Sequence, residues 1–96
     1  MLRLPDTLLH NTAATALAEM MLALRAETSA SIVVDAAALV QFDSTALAVL
    51  LELRRAALRA GKTLVLQGLP SRLGDLARLY GIDELLPVQG GAAPVK

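Results

Sequence analysis

The chain of 96 residues contains no cysteine, no tryptophan, one histidine and almost no aromatic residue. Without cysteine it can form neither a disulfide nor a thiolate metal site, which fits a reducing compartment. With one phenylalanine and one tyrosine, it offers almost no ring on which a nucleic-acid base could stack. These absences exclude a disulfide scaffold and argue against recognition of nucleic acid by stacking.

The chain also lacks an excess of either charge and a long apolar run. Nine basic residues balance nine acidic ones, so no overall field attracts the chain to phosphate backbones or anionic lipids. Its longest apolar runs, such as 46–51, are much shorter than the roughly 20 residues of a membrane span. The N-terminus lacks the apolar segment and cleavage site of a signal peptide. We therefore expect a cytoplasmic domain that binds no nucleic acid and does not insert into a membrane.

Apolar aliphatic residues dominate what is present. Hydrophobic residues make up 55% of the chain and charged residues 19%, so one domain with an aliphatic core is expected. The mean hydropathy of +0.56 is high for a small monomer, and excess apolar surface often marks a protein interface. We expect that surface to bind a partner, or to close a homodimer when the isolated chain lacks one.

Short strand-like runs alternate with helical runs along the chain. The predicted strands are 1–4, 31–36 and 62–68, and the predicted helices are 12–25, 45–60 and 70–80, followed by a short turn or strand at 82–87. This alternation predicts βαβ units, and therefore an α/β fold with a small, mostly parallel sheet covered by helices. We expect one domain over residues 1–88 and a flexible tail over 89–96.

The segment FDSTAL, residues 42–47, carries the most reactive polar groups. Asp43, Ser44 and Thr45 precede a helix, where such side chains commonly cap free backbone N–H groups. A serine nucleophile needs a base, and the only histidine, His10, has no fixed relation to Ser44 in the sequence. A hydroxyl at a helix start also lies where the helix dipole favours an added phosphate. Capping is sufficient to explain the segment, phosphorylation of Ser44 or Thr45 stays open, and catalysis is disfavoured.

Other motifs of chemistry are missing from the sequence. The run Gly61-Lys62-Thr63 lacks the upstream glycine of a nucleotide-binding loop and begins a predicted strand. No cysteine–histidine or H-E-x-x-H pattern is present, and the aspartates are scattered along the chain. We therefore predict that the protein is not an enzyme and has no catalytic residue, no metal site and no cofactor.

The predicted helix 45–60 has an apolar arc wider than one sheet would cover. At 100° per residue, its polar arc consists of Ala48, Glu52, Arg55 and Arg59. The opposite arc, expected on the sheet, consists of Ala46, Val49, Leu50, Leu53, Ala57 and Ala60. Leu47, Leu51 and Leu58 extend this arc sideways, with Arg54 among them. Either neighbouring helices cover these leucines, or the leucines form part of a protein interface beside Ser44 and Thr45.

The segment VVDAAALVQFDSTALAVLLELRRAALRAGKTLVLQGLPSRLGDLARLYGIDELLP resembles a STAS domain, the fold of bacterial anti-sigma-factor antagonists. Its ordered features are a strand ending at Asp35, a loop to the DSTAL run, a helix ending at Gly61, a further strand, and a last helix. The runs LVLQGLP and LARLYGIDELLP resemble most closely the MlaB-like branch. That branch contains cytoplasmic subunits of the Mla-type ABC system, which moves phospholipid between the membranes of Gram-negative bacteria.

The resemblance implies a non-catalytic role in binding a partner protein. An MlaB-like subunit binds the MlaF-like ATPase of its permease complex, supports its assembly and activity, and so helps to maintain the lipid asymmetry of the outer membrane. It is then cytoplasmic and peripherally associated with the inner membrane through that complex. The alternative is an anti-sigma-factor antagonist controlled by Ser/Thr phosphorylation.

The two groups of relatives imply different key hydroxyls. The hydroxyl directly after the loop aspartate lies at the ATPase contact of MlaB-like proteins, and here it is Ser44. The phosphoacceptor of anti-sigma-factor antagonists is the next position, here Thr45. The expected partner-binding residues are Asp43, Ser44, Thr45, Leu47, Ala48, Leu51 and Arg55. Two departures are Ala46, where these families commonly carry glycine, and an N-terminus with room for one strand before the first helix instead of two.

Overall fold

Strands and helices alternate along the part of the chain that the computed structural model describes, residues 2–86 and 88–89. The helices are α1 (Ala13–Ala26), α2 (Thr45–Arg59) and α3 (Ser71–Leu79), and a 3-10 helix, Asp83–Leu85, follows α3. The strands are β1 (Leu2–Arg3), β2 (Thr7–Leu8), β3 (Ser31–Asp35), β4 (Gln41–Phe42), β5 (Thr63–Gln67) and β6 (Val88–Gln89). The three predicted helices are confirmed to within one or two residues at each end.

The larger sheet has the strand order β1-β3-β5-β6, and its neighbouring strands are parallel. A second ladder pairs β2 with β4, also in parallel. Each helix lies between two strands that are neighbours in the larger sheet. Along the chain, each new strand of this sheet is added on the same side of the one before it. Right-handed crossovers of this kind place α1, α2 and α3 on one face of the sheet. The predicted α/β fold with a small parallel sheet covered by helices is therefore confirmed.

The core lies between the sheet and these helices. Side chains of β3 and β5 alternate, so that Ile32, Val34, Leu64 and Leu66 are buried whereas their neighbours point to the other face. Helix α2 packs on β5 and also on α1. Its buried residues are Ala46, Leu47, Val49, Leu50, Leu53 and Ala57. The start of α2 is therefore fixed by packing on two sides.

Gly61 ends α2 in the way that the sequence predicts. Its φ of 75° lies in the left-handed region, where glycine avoids the steric cost of a side chain. The N–H of Lys62 then donates to the carbonyl of Ala57 at 2.8 Å, which closes the last turn. One expected face residue, Ala60, is exposed because it is already the C-cap and no longer continues the helix.

The two ends of the chain differ from the expectation. Before α1 there are two strands instead of one, because Pro5 separates β1 from β2 and each pairs with a different distant strand. At the other end, Gln89 belongs to β6, which pairs with β5, so the expected tail begins later than residue 89. The rest of that predicted tail, 90–96, lies outside the described residues. A two-residue strand is too short for an alternating pattern to reveal it.

Candidate functional site

Asp43 organises the start of α2 with both of its carboxylate oxygens. One oxygen accepts a hydrogen bond from the Thr45 N–H at 2.9 Å, which satisfies a backbone group that the first turn leaves free. The other accepts from the His10 N–H at 3.1 Å, which joins the loop before α1 to the start of α2. The predicted capping is therefore confirmed, and Asp43 is the residue that provides it.

These hydrogen bonds lower the pKa of Asp43 below its ordinary value of 3.8. The largest cause is hydrogen bonding by the Thr45 side chain, followed by the Thr45 N–H; the His10 N–H and the His10 charge act in the same direction. Partial desolvation opposes them but does not outweigh them. The carboxylate is therefore held ionised, as an acceptor only, throughout the neutral range.

Ser44 and Thr45 have different surroundings although they are adjacent. Thr45 is half-buried, and its backbone N–H donates to the Asp43 carboxylate. Ser44 is exposed, and its side chain makes no capping hydrogen bond although it occupies the N-cap position. Because Asp43 caps the helix, the Ser44 hydroxyl is left facing solvent.

A stripe along α2 continues from Ser44 toward the middle of the helix. Ser44, Ala48, Leu51 and Arg55 are separated by four, three and four residues, which places them on one side of an α-helix. Ala48 and Arg55 are exposed and Leu51 is half-buried. The Arg55 guanidinium lies 3.1 Å from the Glu52 carboxylate in an exposed ion pair. We call these four residues the α2 stripe. It combines the hydroxyl of Ser44, the aliphatic side chains of Ala48 and Leu51, and the charge of Arg55, which is paired with Glu52.

Leu47 is not part of this surface. It was predicted as a partner-binding residue, but its exposed fraction is 3% and it packs in the same buried cluster as Leu50 and Leu53. The buried arc of α2 is wider than the sheet-facing arc that the sequence predicts, and Leu47 lies within it. The prediction for Leu47 is therefore wrong, whereas the other six predicted residues are exposed or half-buried.

Two long-range contacts at this site could not be predicted from the sequence. The His10 loop reaches Asp43 through a backbone N–H, which no residue type encodes. The Arg72 guanidinium, at the start of α3, lies over the Phe42 ring at 5.1 Å from its centre, a distance typical of a cation–π interaction. Both contacts hold the segment before Ser44 in place, and neither has a local sequence signal.

The arrangement around Ser44 does not resemble a catalytic centre. His10 contacts Asp43 through its backbone N–H. In a serine hydrolase, the histidine side chain would instead accept a hydrogen bond from the serine hydroxyl. Within residues 2–86, no three His, Asp or Glu side chains are grouped so that they could hold a metal ion. What the geometry offers is a rigid, exposed helix start.

The chain folds as a small α/β domain with helices packed on a parallel sheet. A family model described as "Mlab, STAS domain" matches residues 1–87, so the chain belongs to the MlaB-like STAS domain family. STAS domains are generally non-catalytic binding domains, and the family supports a general role of the anti-sigma-factor-antagonist type. No curated protein matches the chain. Over the described part of the chain, no helix is long and apolar enough to cross a membrane.

Proposed function

We propose that the chain is a non-catalytic STAS subunit of a Mla-type phospholipid-transport ABC complex. In this proposal it binds the MlaF-like ATPase, supports assembly and activity of the complex, and so helps to maintain outer-membrane lipid asymmetry. It would reside in the cytoplasm, held at the inner membrane only through the complex. Within the chain, the proposed contact is the α2 stripe together with the adjoining residues Asp43 and Thr45.

The observation that carries the proposal is the contrast between Ser44 and Thr45. A contact residue must reach its partner, and of the two hydroxyls only that of Ser44 is exposed and uncapped. Asp43 fixes the backbone on either side of it, so a partner would meet a preorganised surface and lose little entropy on binding. The family match supports the same reading, because the matching model is the MlaB-like one.

Replacing Ser44 by arginine tests the proposal. We expect Ser44→Arg to weaken binding of the ATPase encoded beside this chain by at least about tenfold, which corresponds to about 1.4 kcal/mol. The reason is that a long charged side chain would hold the two surfaces apart at the centre of the contact. Affinity is measured by interferometry with the purified ATPase, and circular dichroism confirms that the variant is folded.

Ser29→Arg is the matched control. Ser29 is an exposed serine in the turn before β3, at the opposite end of the sheet from the start of α2, and we expect it to bind as the wild type does. Equal binding by wild type, Ser44→Arg and Ser29→Arg would show that the start of α2 is not part of the contact. Absence of binding by the wild type itself would contradict the proposed function.

An anti-sigma-factor antagonist controlled by phosphorylation is the alternative function. Its phosphoacceptor would be Thr45, or else Ser44, and the partner an anti-sigma factor. At Thr45 a phosphate would add about −1.5 to −2 charges close to the Asp43 carboxylate, which accepts the Thr45 N–H. This repulsion favours the transporter proposal. Quantitative phosphorylation of Thr45 by a kinase encoded beside the chain would favour the alternative instead.

A further inference from the structure

A second surface lies farther along α2, between that helix and the 3-10 helix. Leu58 and Leu85 are 50% and 40% exposed, and both line one open groove together with half-buried Leu51. The groove has a volume of about 390 Å³. It begins at Leu51, which is also a member of the α2 stripe, so the two surfaces are continuous.

The walls of this groove are basic. Arg54, Arg55 and Arg59 line it, and among the described residues only Arg55 has an acidic partner, Glu52. Neither Arg54 nor Arg59 makes an ion pair with another residue of the described ranges. Of the six residues that line the groove, three are arginines and none is acidic. In a chain whose total charge is zero, this is a local concentration of one sign.

We propose that this groove binds an acidic amphipathic helix of the partner protein. Leu51 and Leu58 are seven residues apart, which is two helical turns on one side of α2. An apolar floor with this spacing suits a helix that presents apolar side chains at intervals of three or four residues. Glu or Asp residues beside those anchors would then lie against Arg54 and Arg59 and neutralise them.

The inference rests on the proposed function, because the partner is taken to be the ATPase that contacts Ser44. Continuity with the α2 stripe supports it: from Ser44 to Leu58 the helix rises about 21 Å, at 1.5 Å per residue. A partner helix lying along α2 over that distance would contact Ser44 at one end and the basic groove at the other. The stripe would then fix position, and the groove would select for negative charge.

The test compares two matched double variants of the full chain. Arg54→Glu with Leu58→Ser changes the groove, whereas Arg25→Glu with Leu22→Ser makes the same two changes on α1, where Leu22 is 65% exposed. Binding of the ATPase is measured at about 50 and 500 mM salt, alongside wild type and Ser44→Arg. We expect the groove variant to bind at least tenfold more weakly at low salt and to lose most of the salt dependence of the wild type.

The outcomes separate the inference from the proposed function. Weaker, salt-insensitive binding by the groove variant, with near-normal binding by the α1 variant, supports the inference. Loss of binding by Ser44→Arg with unchanged binding by the groove variant overturns the inference and leaves the proposed function standing. Equal losses in both double variants also overturn it, because the effect would then be general. Light scattering that shows a wild-type dimer and a monomeric groove variant would assign the groove to a second copy instead.

Should the groove variant fail to fold, Arg59→Glu keeps the test decisive. Arg59 is exposed, so its replacement leaves the core untouched. We expect at least a threefold loss of affinity at low salt from this single charge reversal, and no loss at high salt. An unchanged affinity at both salt concentrations would overturn the inference.

Discussion

Asp43 uses one carboxylate oxygen on the first turn of α2 and the other on the loop before α1. A capping residue that is also a long-range acceptor fixes the position of the helix start relative to the rest of the domain. The consequence for Ser44 is that its hydroxyl is not needed for the fold. At the scale of single residues, Asp43 therefore holds the helix start in place, and Ser44 is left exposed.

The lowered pKa of Asp43 predicts how stability responds to acid. Because the native pKa lies below the ordinary 3.8, the unfolded chain binds the proton more tightly. The stabilisation is complete above that value and is lost as the pH falls below about 4, through the native pKa. In Asp43→Asn we expect a lower free energy of unfolding than in wild type at pH 7, and a difference that shrinks toward pH 3. Urea unfolding at several pH values measures it; a constant difference down to pH 3 would contradict the assignment.

Helix α2 shows which features of an element can be predicted from the sequence and which cannot. Its bounds, its terminal Gly61 and most of its buried face follow from helical periodicity, because these are local properties. The burial of Leu47 does not follow from them, since it depends on which other elements of the fold pack beside the helix. The same limit explains why β2 and β4 were not predicted, as two residues carry no pattern and the pairing partner is distant. Local structure was predictable, and contacts between elements were not.

Two leucines of α2 test which face of the helix contributes to the free energy of unfolding. Leu53 is fully buried, whereas Leu58 is half exposed. We expect Leu53→Ala to lower the free energy of unfolding by about 2–5 kcal/mol, because it leaves a cavity in a packed core. Leu58→Ala should lower it by less than about 1 kcal/mol. Chemical denaturation measures both; similar losses in the two variants would show that Leu58 belongs to the core and not to a contact surface.

At the scale of the whole molecule, the helices lie on one face of the sheet, and α2 turns its polar side outward. The start of α2 lies at the carboxyl ends of the strands, and its basic end lies at the amino ends. A partner that follows α2 would therefore extend from the carboxyl ends of the strands to their amino ends. The homodimer expected from the high mean hydropathy stays a prediction.

The central claim is that the start of α2 is where the partner binds. Amide hydrogen exchange of the chain alone and in the presence of the proposed MlaF-like ATPase tests this claim most directly, because it reports every segment in one experiment. We expect the largest gain in protection over residues 43–55, with a smaller gain around Leu58 and Leu85. Protection confined to the outer side of α1 or to the open face of the sheet, with residues 43–55 unchanged, would contradict the account.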